Sequence, residues 1–373
     1  MKHLLCVVLY VFVSHGSSND IINRDAPRFG DLKLDLEEQI LVDTATRDRG
    51  LGIAYIKDLN LDNSENFIIL TYDKIMKFSA AGQLINTLKL DLGQGPGEFA
   101  DRPSRFFVDS YNNFYIYDGY KLVSFDKDFI FVKNIHLALL PGSELYIDNN
   151  GFLYTLKSVF EEARSYTILG KFSGDGRLVK TISSFPDLSL KSTRGISLFI
   201  SHPYAVKPLY CLTAGDRIVV AYSSEYKLFS YDLNGILQSK FAVMAKHQKI
   251  GLEEKDLIRR NLGKTKLTGL NISRDIKFPE NRPFMKSIIS DEKGRIYVVR
   301  VKSILNKDRE ELIDIFSADG KYIYQVKLPV NPKYIRRGNI FNFWEEIDEQ
   351  GNVRHRISRI VIKNYHSLRE RAN

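Results

Sequence analysis

The side chains able to do chemistry are few and dispersed. Past the first few residues the histidines are His15, His136, His202, His247, His355 and His366, and no two share the His-x-x-x-His spacing of a local zinc site. Histidines distant in sequence can still converge in space, so the pattern excludes only a local metal motif. Ser201-His202-Pro203 has no accompanying Gly-x-Ser-x-Gly elbow. Gly93-x-Gly95-x-Gly97 precedes a strand pattern instead of a helix, so it is not a dinucleotide cradle. A second group is richer: Arg102, Arg105, Asp118, Tyr120, Arg164, Arg300 and Trp344, with Tyr72, Asp73, Lys302 and Glu345. Guanidinium groups and carboxylates beside aromatic rings can bind an anion or a sugar, and can equally pair between neighbouring elements. The elements that position them decide which.

Those elements form a repeat, the first thing to seek in a chain of 373 residues. Its first half is an Asp in a polar turn followed by an aromatic or aliphatic strand. Copies are Asp62-Asn63-Ser64-Glu65-Asn66-Phe67-Ile68-Ile69, Asp109-Ser110-Tyr111-Asn112-Asn113-Phe114-Tyr115-Ile116, Asp148-Asn149-Asn150-Gly151-Phe152-Leu153-Tyr154 and Asp291-Glu292-Lys293-Gly294-Arg295-Ile296-Tyr297. A fourth-blade remnant is Gly215-Asp216-Arg217-Ile218. The second half is an aromatic, a turn and a strand, as in Phe172-Ser173-Gly174-Asp175-Gly176-Arg177-Leu178 and Tyr231-Asp232-Leu233-Asn234-Gly235-Ile236-Leu237. Asp-Gly and Asn-Gly pairs supply positive φ cheaply and mark hairpins.

Two hairpins make a four-stranded antiparallel sheet that cannot bury both faces alone. Radial stacking into a ring solves this and protects the edges. The expected fold is all-β, a six-bladed β-propeller. Blades are expected near 53–90, 103–138, 142–184, 208–243 and 284–328, with a sixth from Ile335 to Tyr365 around the turn Asp348-Glu349-Gln350-Gly351-Asn352. Ile40-Leu41-Val42-Asp43 is the candidate to complete that last blade from the N-terminus. The basic stretch from Arg354 to Arg371 then reads as a half-exposed outer strand and a frayed tail.

The stretch Gly93-Gln94-Gly95-Pro96-Gly97-Glu98-Phe99, followed by Pro103, Val108-Asp109 and Phe114-Tyr115-Ile116-Tyr117-Asp118, resembles the NHL-type repeat. More closely it resembles the bacterial exported six-bladed β-propeller proteins (NHL-like or TolB-like), over about residues 38–365. Blades three and six lack the glycine-rich loop, so the resemblance implies fold rather than activity. Among enzymatic propellers of related type, a metal is held at the channel by histidines or by Glu, Asn and Asp.

The N-terminus suits export. Lys2 and His3 precede an apolar run from Leu4 to Val13, and Ser14-His15-Gly16-Ser17-Ser18 offers small residues for cleavage. The domain reading is a signal peptide at 1–18, a lead-in at 19–37, the propeller at 38–366 and a tail at 367–373. Cys6 lies inside the leader, which leaves Cys211 in a strand-like run as a small core hydrophobe. The net charge of +9 comes from basic residues spread along the chain, so nucleic acid is not the expected partner.

Blade geometry puts the first-to-second and third-to-fourth turns on one face of the disc, short and uniform here. The second-to-third turns and the connections between blades lie on the other face, long and varied at 91–102, 185–207 and 244–283. Function concentrates on such loops, and the residue group above belongs to this long-loop face. Within 244–283, Leu252, Leu257, Ile258 and Leu262 predict a short amphipathic helix at 251–263, as a plug between blades or as a lid. The expectation is an exported, monomeric, non-membrane-spanning binding or scaffolding module for a protein, peptide or glycan, with no cofactor. The alternative is a hydrolase or lyase at the channel mouth, with calcium or zinc as its metal.

Overall fold

Two hairpins joined by a tight turn make a four-stranded sheet, and the chain makes six of them in a computed structural model. The structure describes residues 19–368 except 45–52, 54, 104, 137–143, 162–163, 187–189, 192–196, 199–201, 264–277, 309, 348–352 and 366–367. The leader with Cys6 and His15, the turn 348–352, His366, the tail beyond 368 and the side chain of Arg164 lie outside the described residues.

Two N-terminal strands come first, β1 (Asn19–Asn23) and β2 (Leu36–Asp43). Blade one is β3 (Asp58–Leu61), β4 (Phe67–Leu70), β5 (Lys74–Phe78) and β6 (Leu84–Lys89). Blade two is β7 (Arg105–Val108), β8 (Phe114–Tyr117), β9 (Lys121–Phe125) and β10 (Phe131–His136). Blade three is β11 (Leu145–Ile147), β12 (Leu153–Glu161), β13 (Arg164–Phe172) and β14 (Leu178–Pro186), and a small hairpin follows, β15 (Leu190–Lys191) with β16 (Ser197–Leu198). Blade four is β17 (Pro208–Thr213), β18 (Arg217–Tyr222), β19 (Lys227–Asp232) and β20 (Leu237–Val243). Helix α1 (Leu252–Gly263) leads to blade five, β21 (Met285–Ser290), β22 (Ile296–Arg300), β23 (Glu311–Phe316) and β24 (Tyr322–Leu328). Blade six is β25 (Tyr334–Arg336), β26 (Asn339–Ile347) and β27 (Val353–Ile362).

β2 completes blade six, antiparallel to β27 with Leu36 opposite Ile362 and Asp43 opposite Arg356. The expected closure from the N-terminus is therefore present. It also corrects one expectation: the basic strand β27 is the third of its blade, covered on the outside by β2. Arg354 and Arg356 both pair with Asp43 of that covering strand.

Each pair of neighbouring blades shares its own apolar cluster. Ile68, Phe99 and Phe114 lie between blades one and two, and Leu122, Ile147 and Phe172 between two and three. The sixth cluster joins Phe341 and Ile357 to Leu59 and Phe67, so the ring is closed by packing as well as by β2.

The repeated aspartate staples its turn. One oxygen accepts two backbone amides, from Asn150 at 2.8 Å and Phe152 at 2.9 Å for Asp148, and from Lys293 and Arg295, both at 3.0 Å, for Asp291. The other accepts a strand tyrosine, Tyr154 at 2.8 Å or Tyr297 at 2.9 Å. This is an Asx-type turn extended by a buried hydroxyl. Gly320 shows why glycine recurs here: its φ is +88°, and a Cβ would meet Phe241 of the preceding blade at 2.7 Å.

Candidate functional site

All six innermost strands begin on the long-loop face, beside the channel axis. Five of them begin at or next to a cation: Lys57 precedes β3, Arg105 opens β7, Lys207 precedes β17, Lys286 is second in β21 and Lys333 precedes β25. The third blade has Glu144 in that place, just before β11. Lys333 is paired with Asp58, Lys286 with Glu311 at 2.8 Å, and Lys57 donates to the Pro103 carbonyl at 3.0 Å.

Glu144 sits inside this ring. It feels Lys207 of blade four, Lys333 of blade six and Arg105 of blade two. Blade six stands opposite blade three, so such a field is felt only at the axis. The side chain is open to solvent, yet protein surrounds it, because the solvent that reaches it is in the channel. Burial pushes its carboxyl up to about 7, against the pull of the three cations. Among the described residues that carboxylate makes no ion pair or hydrogen bond with any of them. The backbone there is fixed: the Glu144 carbonyl accepts Tyr210 at 2.5 Å and Thr155 at 2.8 Å. Tyr146 packs edge-on to Tyr210 with centroids 5.4 Å apart, and burial, then the Glu144 charge, drives both hydroxyls far above their ordinary range. Burial lowers the Lys207 ammonium, which Glu144 opposes and Lys286 reinforces.

The residues singled out from sequence fall into three groups. Arg102 stacks on Tyr72 at 3.6 Å, and Lys57 lies over the same ring at 4.8 Å, making a cationic and aromatic patch beside blades one and two. Arg105 joins the axial ring, and Tyr120 is exposed on the same face. Asp118, Arg300 and Lys302 hold structure together. Asp118 accepts the amides of Ala100, Tyr120 and Lys121 at 2.8–2.9 Å, which ties the 91–102 loop to blade two. Arg300 bridges Asp314 at 2.5 Å and Asp25 at 3.0 Å, and Lys302 closes its own loop on the carbonyls of Asp308 and Glu310. Asp73 accepts the Thr71 hydroxyl at 3.2 Å. Trp344 and Glu345 lie in β26 opposite Arg356 and His355 of β27. Arg164 opens β13.

Lys57, Glu144, Lys207, Lys286 and Lys333 escaped the sequence reading. The signal was there: each of Lys57, Arg105, Glu144 and Lys286 lies four or five positions before the turn aspartate of its blade. No charge run marks them, because one comes from each blade.

The glycine-rich loop serves shape. Glu98 folds back to accept the Gly95 amide at 2.7 Å, and a Cβ on Gly93 would meet that carboxylate at 2.0 Å. Phe99 beyond it is buried between blades one and two. Helix α1 is docked onto the face by Glu254, which accepts Arg282 at 2.9 Å, Ser303 at 2.6 Å, the Gly251 amide at 2.9 Å and the Tyr204 hydroxyl. Burial opposes ionisation of Glu254, but Arg282, Ser303 and Tyr204 outweigh it and hold the carboxyl at about 2. The Gly251 contact is one half of a capping box, the Glu254 side chain reaching back to the amide before the helix. His202 packs against Phe278 at 5.2 Å, away from the axis. Among the described residues, no three His, Cys, Asp or Glu side chains converge as a metal site, and no helix is long and apolar enough to cross a membrane.

The architecture defines the class: a six-bladed β-propeller closed by an N-terminal strand. No protein-family model matches the chain, and no curated protein matches it in sequence. Solved structures similar to it include a Bacteroides fragilis protein whose name designates it as exported, 13% identical, with a TM-score of 0.49, covering 92% of this chain and 100% of that one. A member of the DUF4221 family from Bacteroides vulgatus is 10% identical, with a TM-score of 0.46 and 87% and 98% coverage. A streptogramin B lyase is 10% identical, with a TM-score of 0.42 and 88% and 98% coverage.

Proposed function

We propose that this propeller is an exported, non-catalytic binding module whose protein, peptide or glycan ligand seats on the long-loop face over the channel mouth. The observation that carries the reading is convergence. Charged side chains from blades two, three, four and six act on one another at that mouth, with the Tyr72–Arg102–Lys57 patch and exposed Tyr120 beside it. Aromatic and arginine side chains together are the usual anchors of a binding surface. Export is supported by the apolar leader, whose run from Leu4 to Val13 is about half the roughly 20 residues of a membrane-spanning helix. The test is to probe peptide and glycan arrays with the mature chain, a Tyr72→Ala/Arg102→Ala variant, and a Lys127→Ala variant of the short-turn face. Binding lost only in the first variant supports the reading. Binding unchanged in both, or lost equally in both, overturns it.

One observation favours a second reading. A carboxyl titrating near 7 beside cations in a channel suits general acid–base work, which would make Glu144 the acid or base of a hydrolase or lyase. Turnover of a lactone or ester panel that disappears in Glu144→Gln would establish it in place of the first.

A further inference from the structure

The axial ring has an arrangement that ion pairing alone does not account for. Lys286 and Lys333 are each paired with a carboxylate, Glu311 and Asp58. The ammonium of Lys207 has no hydrogen-bond or ion-pair partner among the described residues, and neither has the carboxylate of Glu144 that faces it. Opposite charges that sense each other without touching leave a gap between them. The two groups come from different blades, so that gap is set by the ring and not by local flexibility. Arg105 and Lys333 border the same space, since both act on Glu144. Half-buried Tyr146 and Tyr334 form its walls, with Tyr210 behind them. The site therefore holds more cations than carboxylates, inside a wall that weakens water screening.

We propose that the channel mouth is an anion site in which Lys207, Arg105 and Lys333 grip one compact oxyanion of the ligand, a carboxylate or a phosphate, while Glu144 is the opposing charge that tunes the grip with pH. This rests on the reading that the long-loop face is the binding face and names the chemistry recognised at its centre. A neutral sugar or peptide body would extend from the mouth over the Tyr72–Arg102 patch. The groups facing Glu144 are Tyr146 of its own blade, Arg105 of blade two, Lys207, Tyr210 and Cys211 of blade four, and Lys333 and Tyr334 of blade six. The tyrosines and the thiol are pushed up by burial and stay neutral near pH 7, so Glu144 is the acid among them that changes charge there. Protonating it removes a repulsive charge from the site, and anion affinity rises as pH falls through 7.

The experiment is calorimetric titration of the full mature chain with galacturonate, inorganic phosphate and, as neutral control, galactose, at pH 6 and pH 8. Galacturonate keeps its charge across that range, so any pH dependence belongs to the protein. The expected result is oxyanion binding with no binding of galactose. Galacturonate should bind about tenfold more tightly at pH 6 than at pH 8, a change of about one protonation-linked unit. Lys207→Ala and Arg105→Ala should each weaken binding roughly tenfold, and Glu144→Gln should bind at pH 8 as the native chain does at pH 6. Thermal melts establish that each variant is folded. Preference for galacturonate over phosphate identifies an acidic sugar or peptide end as the source, and the reverse identifies a phosphoryl group. Equal binding of galactose, or oxyanion binding indifferent to Lys207→Ala and Arg105→Ala, overturns the proposal. If array ligands are lost with Tyr72→Ala/Arg102→Ala while neither oxyanion binds, the anion site is wrong and the binding face stands.

Discussion

Aspartates that look available for chemistry in this chain are mostly part of its frame. Asp148 shows how: its two oxygens take the amides of Asn150 and Phe152 and the buried hydroxyl of Tyr154. Asp148→Ala would leave those amides unpaired and the hydroxyl with only the Leu233 carbonyl at 3.2 Å, and should cost about 2–4 kcal/mol in urea unfolding. His355 makes a different case. It is fully buried between Tyr55 and Phe343, and neither ring nitrogen has a hydrogen-bond partner among the described residues. Burial lowers its pKa from 6.5, partly offset by Glu345. The unfolded chain therefore binds a proton that the folded chain resists. The stability His355 contributes is present above pH 6.5 and is lost as pH falls towards its depressed folded value. Denaturation midpoints measured from pH 7.5 to 5 should fall less steeply in His355→Phe than in the native chain.

At the scale of elements, the N-terminal segment matters beyond the closing strand. β1 adds a fifth, parallel strand to blade four along β20. Asn23 then bridges blades four and five, donating to Ala242 at 3.2 Å and Gly320 at 3.0 Å and accepting from Tyr322 at 2.9 Å. Next, the amides of Arg28, Phe29 and Leu32 bond to the edge of β24, before β2 closes blade six. One stretch thus covers the outer edges of three consecutive blades, while β6, β10 and β14 of the other three face solvent. Removing residues 1–34 should leave a closed ring with faster amide exchange in β20 and β24, read by hydrogen-exchange mass spectrometry. Removing 1–43 also takes Leu41 and Val42 from the blade six–one core and should leave little cooperative unfolding by calorimetry. Helix α1 depends on Glu254. Glu254→Ala leaves Arg282 with Gln248 but no carboxylate and should release the helix at a local cost of roughly 2 to 4 kcal/mol, seen as proteolysis within 252–263. The Glu254 carboxyl is held at about 2, so its contribution is present above pH 4.5 and is lost as pH falls through 2.

For the whole molecule, the ring places Glu144 where isolated blades would not. Its carboxyl is raised from 4.5 to about 7, so the folded chain binds a proton that the unfolded chain has released. Stability must then decline as pH rises from 4.5 through 7 on account of this residue. Glu144→Gln should melt at a higher temperature than the native chain at pH 8, with the difference vanishing near pH 4.5. That dependence runs opposite to the one from His355, and the two variants separate them by scanning calorimetry. An unchanged melting temperature in Glu144→Gln at pH 8 would mean that the channel hydrates the carboxylate fully.

Local chemistry made the frame legible in sequence. Period-two alternation, Asp-Gly and Asn-Gly turns and a repeated turn aspartate act over a few residues, so they specify hairpins wherever the chain lies. The number of hairpins then leaves a ring as the solution that buries both faces of each sheet. Helix α1 was legible for the same reason, from its apolar spacing and the glycine that ends it. The site was legible only in part. Arg105, Arg102, Tyr72 and Tyr120 could be assigned to a face, but Asp118 and Arg300 share that face and are held by amides and by Asp314 and Asp25. Residue type and face are the same in both cases, and only the partners differ. Glu144 and Lys207 act on each other from neighbouring blades, and nothing in the local sequence of either predicts the other. Sequence determines what is decided by neighbours along the chain: strand, turn, cap and the count of blades. Burial, partner and charge state at the axis are decided by distances that exist only once the ring has closed, because field and desolvation act through space.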